Sequence, residues 1–501
     1  MADADEDAIG FGGADEEEED VGGFGGADEE EDDDTGFGDN FDEDAEEGGF
    51  GDLEEDEDLD EDGAGWGNAD DEEVPDVGPK KAAGGSSMDM FEKDIAAKFF
   101  NKGTDGKYTI EPIKTPLLKL SKGKADKACE MFKLVCQFLG ITARVGKSTL
   151  GAVPAAQAIT RFGIADPDFR EELYCQLLKQ MNGNPAASSR ARGVILFTLV
   201  MGTFPCSQKL LPIVDAFIRE GPKGYQSYCN LTLRRCIHNG PRNEPPCRLE
   251  FEAVKRKQIM RVRVITDLVT QDTVTARLDA ASVMSEWVQE IGAKLGLKDT
   301  YGWSIYVNRS GRLKSLRGAG LKGLHVMDVI SKIDQDSKES SLDITKQLSF
   351  RKELFAKNHN SLADERSTHI ICNQIRSGFK DSSLTLKDDE YNEVFAILFY
   401  SDFFDKIDEK TLIEYLEFWL PANAKKSKSP KDRAASVERI HAKSEYSKRK
   451  FTKVQAQDLV IKYALSKFGT CDFAPDGSMR LQPNGRPGPG PKKSASKRGK
   501  K

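Results

Sequence analysis

Arg170-Glu171-Glu172-Leu173-Tyr174-Cys175-Gln176-Leu177-Leu178-Lys179-Gln180 is the stretch on which the fold turns. Leu173, Tyr174, Leu177 and Leu178 share one face at helical spacing, so a helix is predicted over 168–181 with that face in a core. Tyr174 and Gln176 are expected to hydrogen-bond neighbouring turns from a buried helix. Upstream, Phe91, Ile95, Phe99 and Phe100 recur at the same period, as do Ala128, Met131, Phe132, Val135, Cys136 and Leu139 over 125–139. Downstream, 192–201 and 210–218 read as two more helices. Gly140, Gly163, Pro185, Gly202, Pro205 and Gly221-Pro222 punctuate the gaps. Sustained β-alternation is missing from residues 89–257, which predicts an all-helical block.

Beyond it the period changes. Ile259-Met260-Arg261-Val262-Arg263-Val264-Ile265 alternates like a strand, and 272–278 alternates again through Val274, Ala276 and Leu278. A helix follows over 282–295, with Val283, Trp287, Ile291 and Leu295 inward, then a strand over 303–307 and a polar turn over 308–311. Hairpin, helix, strand is the order of a ubiquitin-like fold. Helices are predicted again over 367–377, 387–400, 411–420 and 453–468. The basic stretch 422–450, with Lys425, Lys426, Lys428, Lys431 and Arg433, reads as a loop and then a helix.

The front of the chain is of another kind. Residues 1–79 hold 37 Asp and Glu and no Lys or Arg; the whole chain is at −12, which leaves +25 for residues 80–501. So acidic and apolar-poor a segment cannot offset its chain entropy, and disorder is predicted for 1–88. Phe11, Phe24, Phe37 and Phe50 recur every 13 residues between glycines, and Trp66 continues the theme. Two readings stand open: a solvated acidic brush grown by duplication, or a polyanion carrying aromatic stickers that charge brings to a basic face. Phe50-Gly51-Asp52-Leu53 also resembles the short acidic phenylalanine motifs that adaptor ear domains bind.

A family resemblance rests on a series of motifs. Ile113-Lys114-Thr115-Pro116-Leu117-Leu118, the stretch quoted first, Asn184-Pro185, Arg192-Gly193, Gly202-Thr203-Phe204-Pro205, and Asn239-Gly240-Pro241-Arg242 before Pro245-Pro246 occur in the order of the myosin tail homology 4 (MyTH4) domain. The chain is similar to that domain over 89–257. It resembles the first, ubiquitin-like lobe of a FERM domain over 258–335 and the second, helical lobe over 336–472, with Phe350-Arg351-Lys352-Glu353-Leu354-Phe355 opening the latter. The third FERM lobe is expected to be missing, and residues 473–501 are expected to be a disordered basic tail. The fold class is therefore multidomain: a helical bundle, a ubiquitin-like α+β lobe and a helical lobe between two disordered ends.

The resemblance implies binding rather than catalysis. Domains of this kind bind microtubules and cargo peptides, and residues 92–257 hold 27 Lys and Arg against 15 Asp and Glu. Lys114, Lys119, Lys122, Lys124, Lys127 and Lys133 crowd one stretch; Arg234, Arg235, Arg242, Arg248, Lys255, Arg256 and Lys257 crowd another. These are the candidate filament- or partner-binding residues, with a solvated charged face as the alternative. The expected function is a motorless cytoskeletal adaptor in the cytoplasm, its partners tubulin or another filament and protein cargo, held in check by the acidic front. A membrane-cortex scaffold that binds receptor tails or anionic lipid is the competing reading.

Little points to chemistry. Nine cysteines without a C-x-x-C pair suit free thiols in a reducing compartment rather than disulfides or zinc. Gly146-Lys147-Ser148-Thr149 ends like a phosphate-binding loop, but Gly140 stands one residue too far away and no strand precedes it. His238, His325, His359, His369 and His441 have no metal-ligand spacing. No cofactor, no metal, no nucleic acid, no membrane span and no targeting leader is expected.

Overall fold

The computed structural model describes residues 86–481 except 149, 310–311, 317–324, 337–347, 406–407 and 471–477. The acidic front with Phe11, Phe24, Phe37, Phe50 and Trp66, and residues 482–501, lie outside the described residues.

A helical segment over 87–99 opens on a capping box between Ser86 and Asp89. Helices follow at Lys122–Phe138, Ala152–Ala165, Asp168–Met181, Ala187–Thr203, Leu211–Glu220, Lys223–Asn239 and Arg248–Arg256. Asp168–Met181 is buried almost all round. Its apolar face carries Leu173, Tyr174, Leu177 and Leu178 into a core with Phe132, Leu196, Phe197 and Phe204. Its polar face binds the incoming chain. Glu172 accepts from the Leu117 and Leu118 amides at 2.9 and 2.8 Å. Gln176 Nε2 donates to the Ala128 carbonyl at 3.0 Å, and Gln180 both accepts from and donates to the Thr109 backbone. Lys179 Nζ meets the Asp105 carboxylate at 2.6 Å. A helix of modest hydropathy can thus be interior, because most of its polar side chains find partners; the Gln176 Oε1 atom is buried without one.

The second unit is a five-stranded sheet: β1 (Met260–Ile265), β2 (Thr273–Leu278), β3 (Trp303–Arg309), β4 (Arg312–Ser315) and β5 (Leu348–Lys352), in the order β2-β1-β5-β3-β4. β1 and β5 pair in parallel; the other pairings are antiparallel. Helix Met284–Lys294 covers one face through Trp287, Val288 and Ile291, and Trp303 stacks on Phe350 at 4.7 Å. Phe350 and its neighbours therefore close the ubiquitin-like sheet from its centre. The assignment of 350–352 to the opening of the next lobe is corrected accordingly, and the first lobe runs past 335; Leu354–Phe355 belongs to a separate small sheet.

Helices Glu365–Lys380, Asp388–Phe403, Glu409–Trp419, Pro430–Lys443 and Lys453–Phe468 form the third unit. Strand Met479–Leu481 pairs with both Leu354–Phe355 and Gly469–Thr470, so ordered chain continues past the 473 boundary placed on the basic tail. The sheet lobe and this helical lobe share one continuous apolar cluster, whereas the bundle keeps its own. The last bundle helix divides between them: Ala253 belongs to the shared cluster, Phe251 and Val254 to the bundle core.

Candidate functional site

Two arginines from the bundle cross that boundary. Arg242, just past helix Lys223–Asn239, has a side chain 0% exposed. It forms an ion pair with Glu250 and meets Asp328 Oδ1 at 3.1 Å and Ser331 Oγ at 3.3 Å. Asp328 also accepts from the Asn243 and Glu244 amides at 3.0 and 3.1 Å. Arg235 lies one helical turn from the chain reversal at Gly240 (φ +83°). It meets Asp279 at 2.9 Å and both oxygens of Glu286 at 2.8 and 2.5 Å. Asn239 Nδ2 donates to the Ala281 carbonyl, and Lys332 pairs with Glu244 at 2.9 Å. A Cβ on Gly202 would stand 2.7 Å from Ala280, so the two units touch there without a side chain between them.

The electrostatics follow from burial and pairing. Burial alone would depress both guanidiniums; Glu286 and Asp279 outweigh it at Arg235, and Glu250 and Asp328 at Arg242, so both are held above the ordinary value. Burial pulls the Glu286 carboxyl upward, yet Arg235 holds it below the usual carboxylate range.

This placement divides the predicted binding residues. Arg242 is an interior residue and Arg235 is committed to the next lobe; neither is free to meet a filament, and the expectation is corrected for both. Lys124 is half-buried between Asp166 and Asp168, at 2.5 Å from each. Arg248 is partly buried, its amide on Asp334, and Lys257 lies over the Tyr225 ring at 5.6 Å. Lys114, Lys119, Lys127, Lys133, Arg234, Lys255 and Arg256 are exposed; the Lys122 side chain is outside the description. On helix Lys122–Phe138 the exposed Asp126 and Glu130 alternate with Lys127 and Lys133, so that surface is mixed rather than uniformly positive.

Three features escaped sequence reasoning. The acidic half of the clamp (Asp279, Glu286, Asp328) lies 44 to 86 residues from its arginines. On the helical lobe Phe418 is 57% exposed, with Lys380 Nζ 3.5 Å from its ring centre. On the sheet, β1 and β2 turn Arg261, Arg263 and Arg277 outward.

The described residues hold no group of His, Cys, Asp and Glu placed for a metal, and no helix long and apolar enough to cross a membrane. Burial pushes the Cys136, Cys206, Cys236 and Cys372 thiols up to about 12, which leaves them poor nucleophiles.

Residues 156–253 match the MyTH4 domain family and residues 259–354 the RA like domain family. Among curated proteins, myosin-VIIa of Drosophila melanogaster is 33% identical over 312 residues and unconventional myosin-VIIb of Mus musculus 34% over 310. Each match takes in 61% of this chain and 14% of the relative, so the chain spans a small part of those proteins. Among solved structures, the C-terminal MyTH4-FERM domain of human myosin 7b, in complex with the harmonin-a PDZ3 domain, superposes with a TM-score of 0.60 at 20% identity. It covers 76% of this chain and 81% of its own.

Proposed function

Because the chain carries a MyTH4 domain running into FERM-like lobes, we propose that it is a non-enzymatic cytoskeletal adaptor of the cytoplasm, a docking unit that binds protein partners. The observation that carries this reading is the clamp of Arg235 and Arg242, which joins bundle and sheet lobe into one platform. Such a platform suits a partner that spans both units. The myosin 7b structure, in which the same pair of domains holds a protein partner, supports the reading.

The bundle is the filament-facing side. Its exposed cations, Lys114, Lys119, Lys127, Lys133, Arg234, Lys255 and Arg256, suit an acidic filament surface such as that of microtubules. The acidic front, residues 1–79, competes for this basic body.

Co-sedimentation of the full chain with microtubules and with actin over a salt series tests the reading. Salt-sensitive pelleting with microtubules is expected, and it should strengthen when residues 1–79 are deleted. Unchanged or weaker pelleting of the deletion removes the competition. Pelleting with neither filament, together with flotation on anionic vesicles, replaces the adaptor with a membrane-cortex scaffold.

A further inference from the structure

The outward face of the β1–β2 hairpin carries a cationic cluster that the function above does not use. Inward-facing Val262 and Val264 are buried, while Arg261 and Arg263 point to solvent. The register sets Arg261 directly opposite Arg277, which is exposed too. Residues opposite one another in an antiparallel pair have Cβ atoms about 5 Å apart, and like charges there are destabilising. None of the three arginine side chains has an ion pair or hydrogen bond among the described residues. Glu290, which approaches the Arg277 backbone, is committed: it accepts the Arg277 amide at 2.9 Å and pairs with Lys294 at 3.0 Å.

Two backbone groups on the free edge beside this face are already taken. Glu290 takes the outward N–H of Arg277, and Lys294 Nζ donates to the outward Thr275 carbonyl at 2.6 Å. A strand added at the edge would have to displace both side chains. A ligand for this hairpin therefore lies across its arginine face and supplies negative charge at the spacing of the arginines. Arg261 and Arg263, two residues apart on one strand, repeat at about 6.7 Å. An extended run of consecutive acidic residues offers alternate carboxylates at the same interval.

The two longest such runs in the chain are 15–20 and 28–34, each unbroken by any residue other than Asp or Glu; 54–58 is a shorter one. About 50 residues separate Asp34 from Ser86, a reach of up to ~170 Å, so covalent geometry leaves the whole body accessible. Tethering also raises the local concentration of the run toward the millimolar range. We propose that the acidic runs 15–20 and 28–34 dock in extended form across the Arg261, Arg263 and Arg277 face of the ubiquitin-like sheet. This rests on the competition between front and body proposed above, and it names the sheet rather than the bundle as the seat.

Arginine footprinting with phenylglyoxal on the full chain is the test. The comparison is with a full-length variant in which every acidic residue of 15–20 and 28–34 is changed to its amide, a change outside the folded body. In the unaltered chain the three arginines should react about threefold more slowly at 0.1 M salt, where the Debye length is about 10 Å, and lose that protection at 1 M, where it is about 3 Å. Arg234 and Arg256 on the bundle should react alike in both proteins. Protection of Arg234 and Arg256 instead would move the seat to the bundle, overturning this proposal and leaving the competition intact. Equal reactivity of all five arginines in both proteins would overturn the docking, and pelleting of the 1–79 deletion decides the competition separately.

Discussion

Arg242 shows how far one residue can depart from its type. Arginines are mostly found at surfaces, and this one sits in a basic stretch. Its counter-charge Asp328 is 86 positions away and Glu250 is 8, so no local pattern announces the site. Removing the guanidinium would leave two buried carboxylates without a cation. Arg242→Ala is therefore expected to cost about 3–5 kcal/mol, whereas Arg234→Ala, at an exposed position, should stay within about 0.5 kcal/mol. The shift in urea midpoint of the full chain checks both; equal shifts would mean that the interior pair carries no special weight.

At the scale of the element, helix Asp168–Met181 was legible end to end, because its apolar residues keep one period and its polar ones need backbone partners. The helices Ala152–Ala165 and Arg248–Arg256 were not. The first is rich in alanine and carries Pro154 and Gly163, small or breaking residues that blur a helical pattern; the second is short and divided between two cores. Phe350-Arg351-Lys352, the end of β5, was assigned to the wrong lobe, since its partners β1 and β3 lie far upstream and nothing local says which sheet a strand completes. Packing between helices also depends on residues that carry no pattern. A Cβ on Gly163 would stand 2.3 Å from the Phe204 ring. That ring cannot withdraw: Arg170 lies over it at 5.4 Å, Tyr174 is edge-on to it, and the Tyr174 hydroxyl donates to the Phe204 carbonyl at 2.9 Å. Gly163→Ala should destabilise the bundle by about 1–3 kcal/mol, an overpacking cost read as a drop in its thermal midpoint. No drop would show that the ring yields.

For the whole molecule, the junction of bundle and sheet is also where acid should be felt. His325 is buried beside the clamp. Burial is the main cause that lowers its pKa; Arg242 adds to the effect and Asp328 opposes it. The unfolded chain therefore takes up the proton first, near the ordinary imidazole value of about 6.5. Stability that is full above that pH is lost progressively as the pH falls through it toward the lower folded value. Burial also lowers His359, His369 and His441, which act in the same sense. At the clamp itself the Glu286 carboxyl is held low, so its contribution is present above about pH 4.5 and disappears as the pH falls below that. The thermal midpoint should thus decline from pH 7.5 to 5.5, with a shallower slope in His325→Gln. An unchanged slope would take His325 out of the account.

Periodicity and charge, both local properties of the chain, were enough to establish an all-helical block, a ubiquitin-like hairpin and helix behind it, a second set of helices, and the segregation of acid from base along the polypeptide. Folding alone decided which cations face water. Lys124, Arg235 and Arg242 belong to the same basic stretches as Lys127 and Arg234, yet the fold brings carboxylates from distant segments against the first three and leaves the other two exposed. A count along the chain sums charge, whereas a binding surface depends on which charges remain unpaired after distant segments meet.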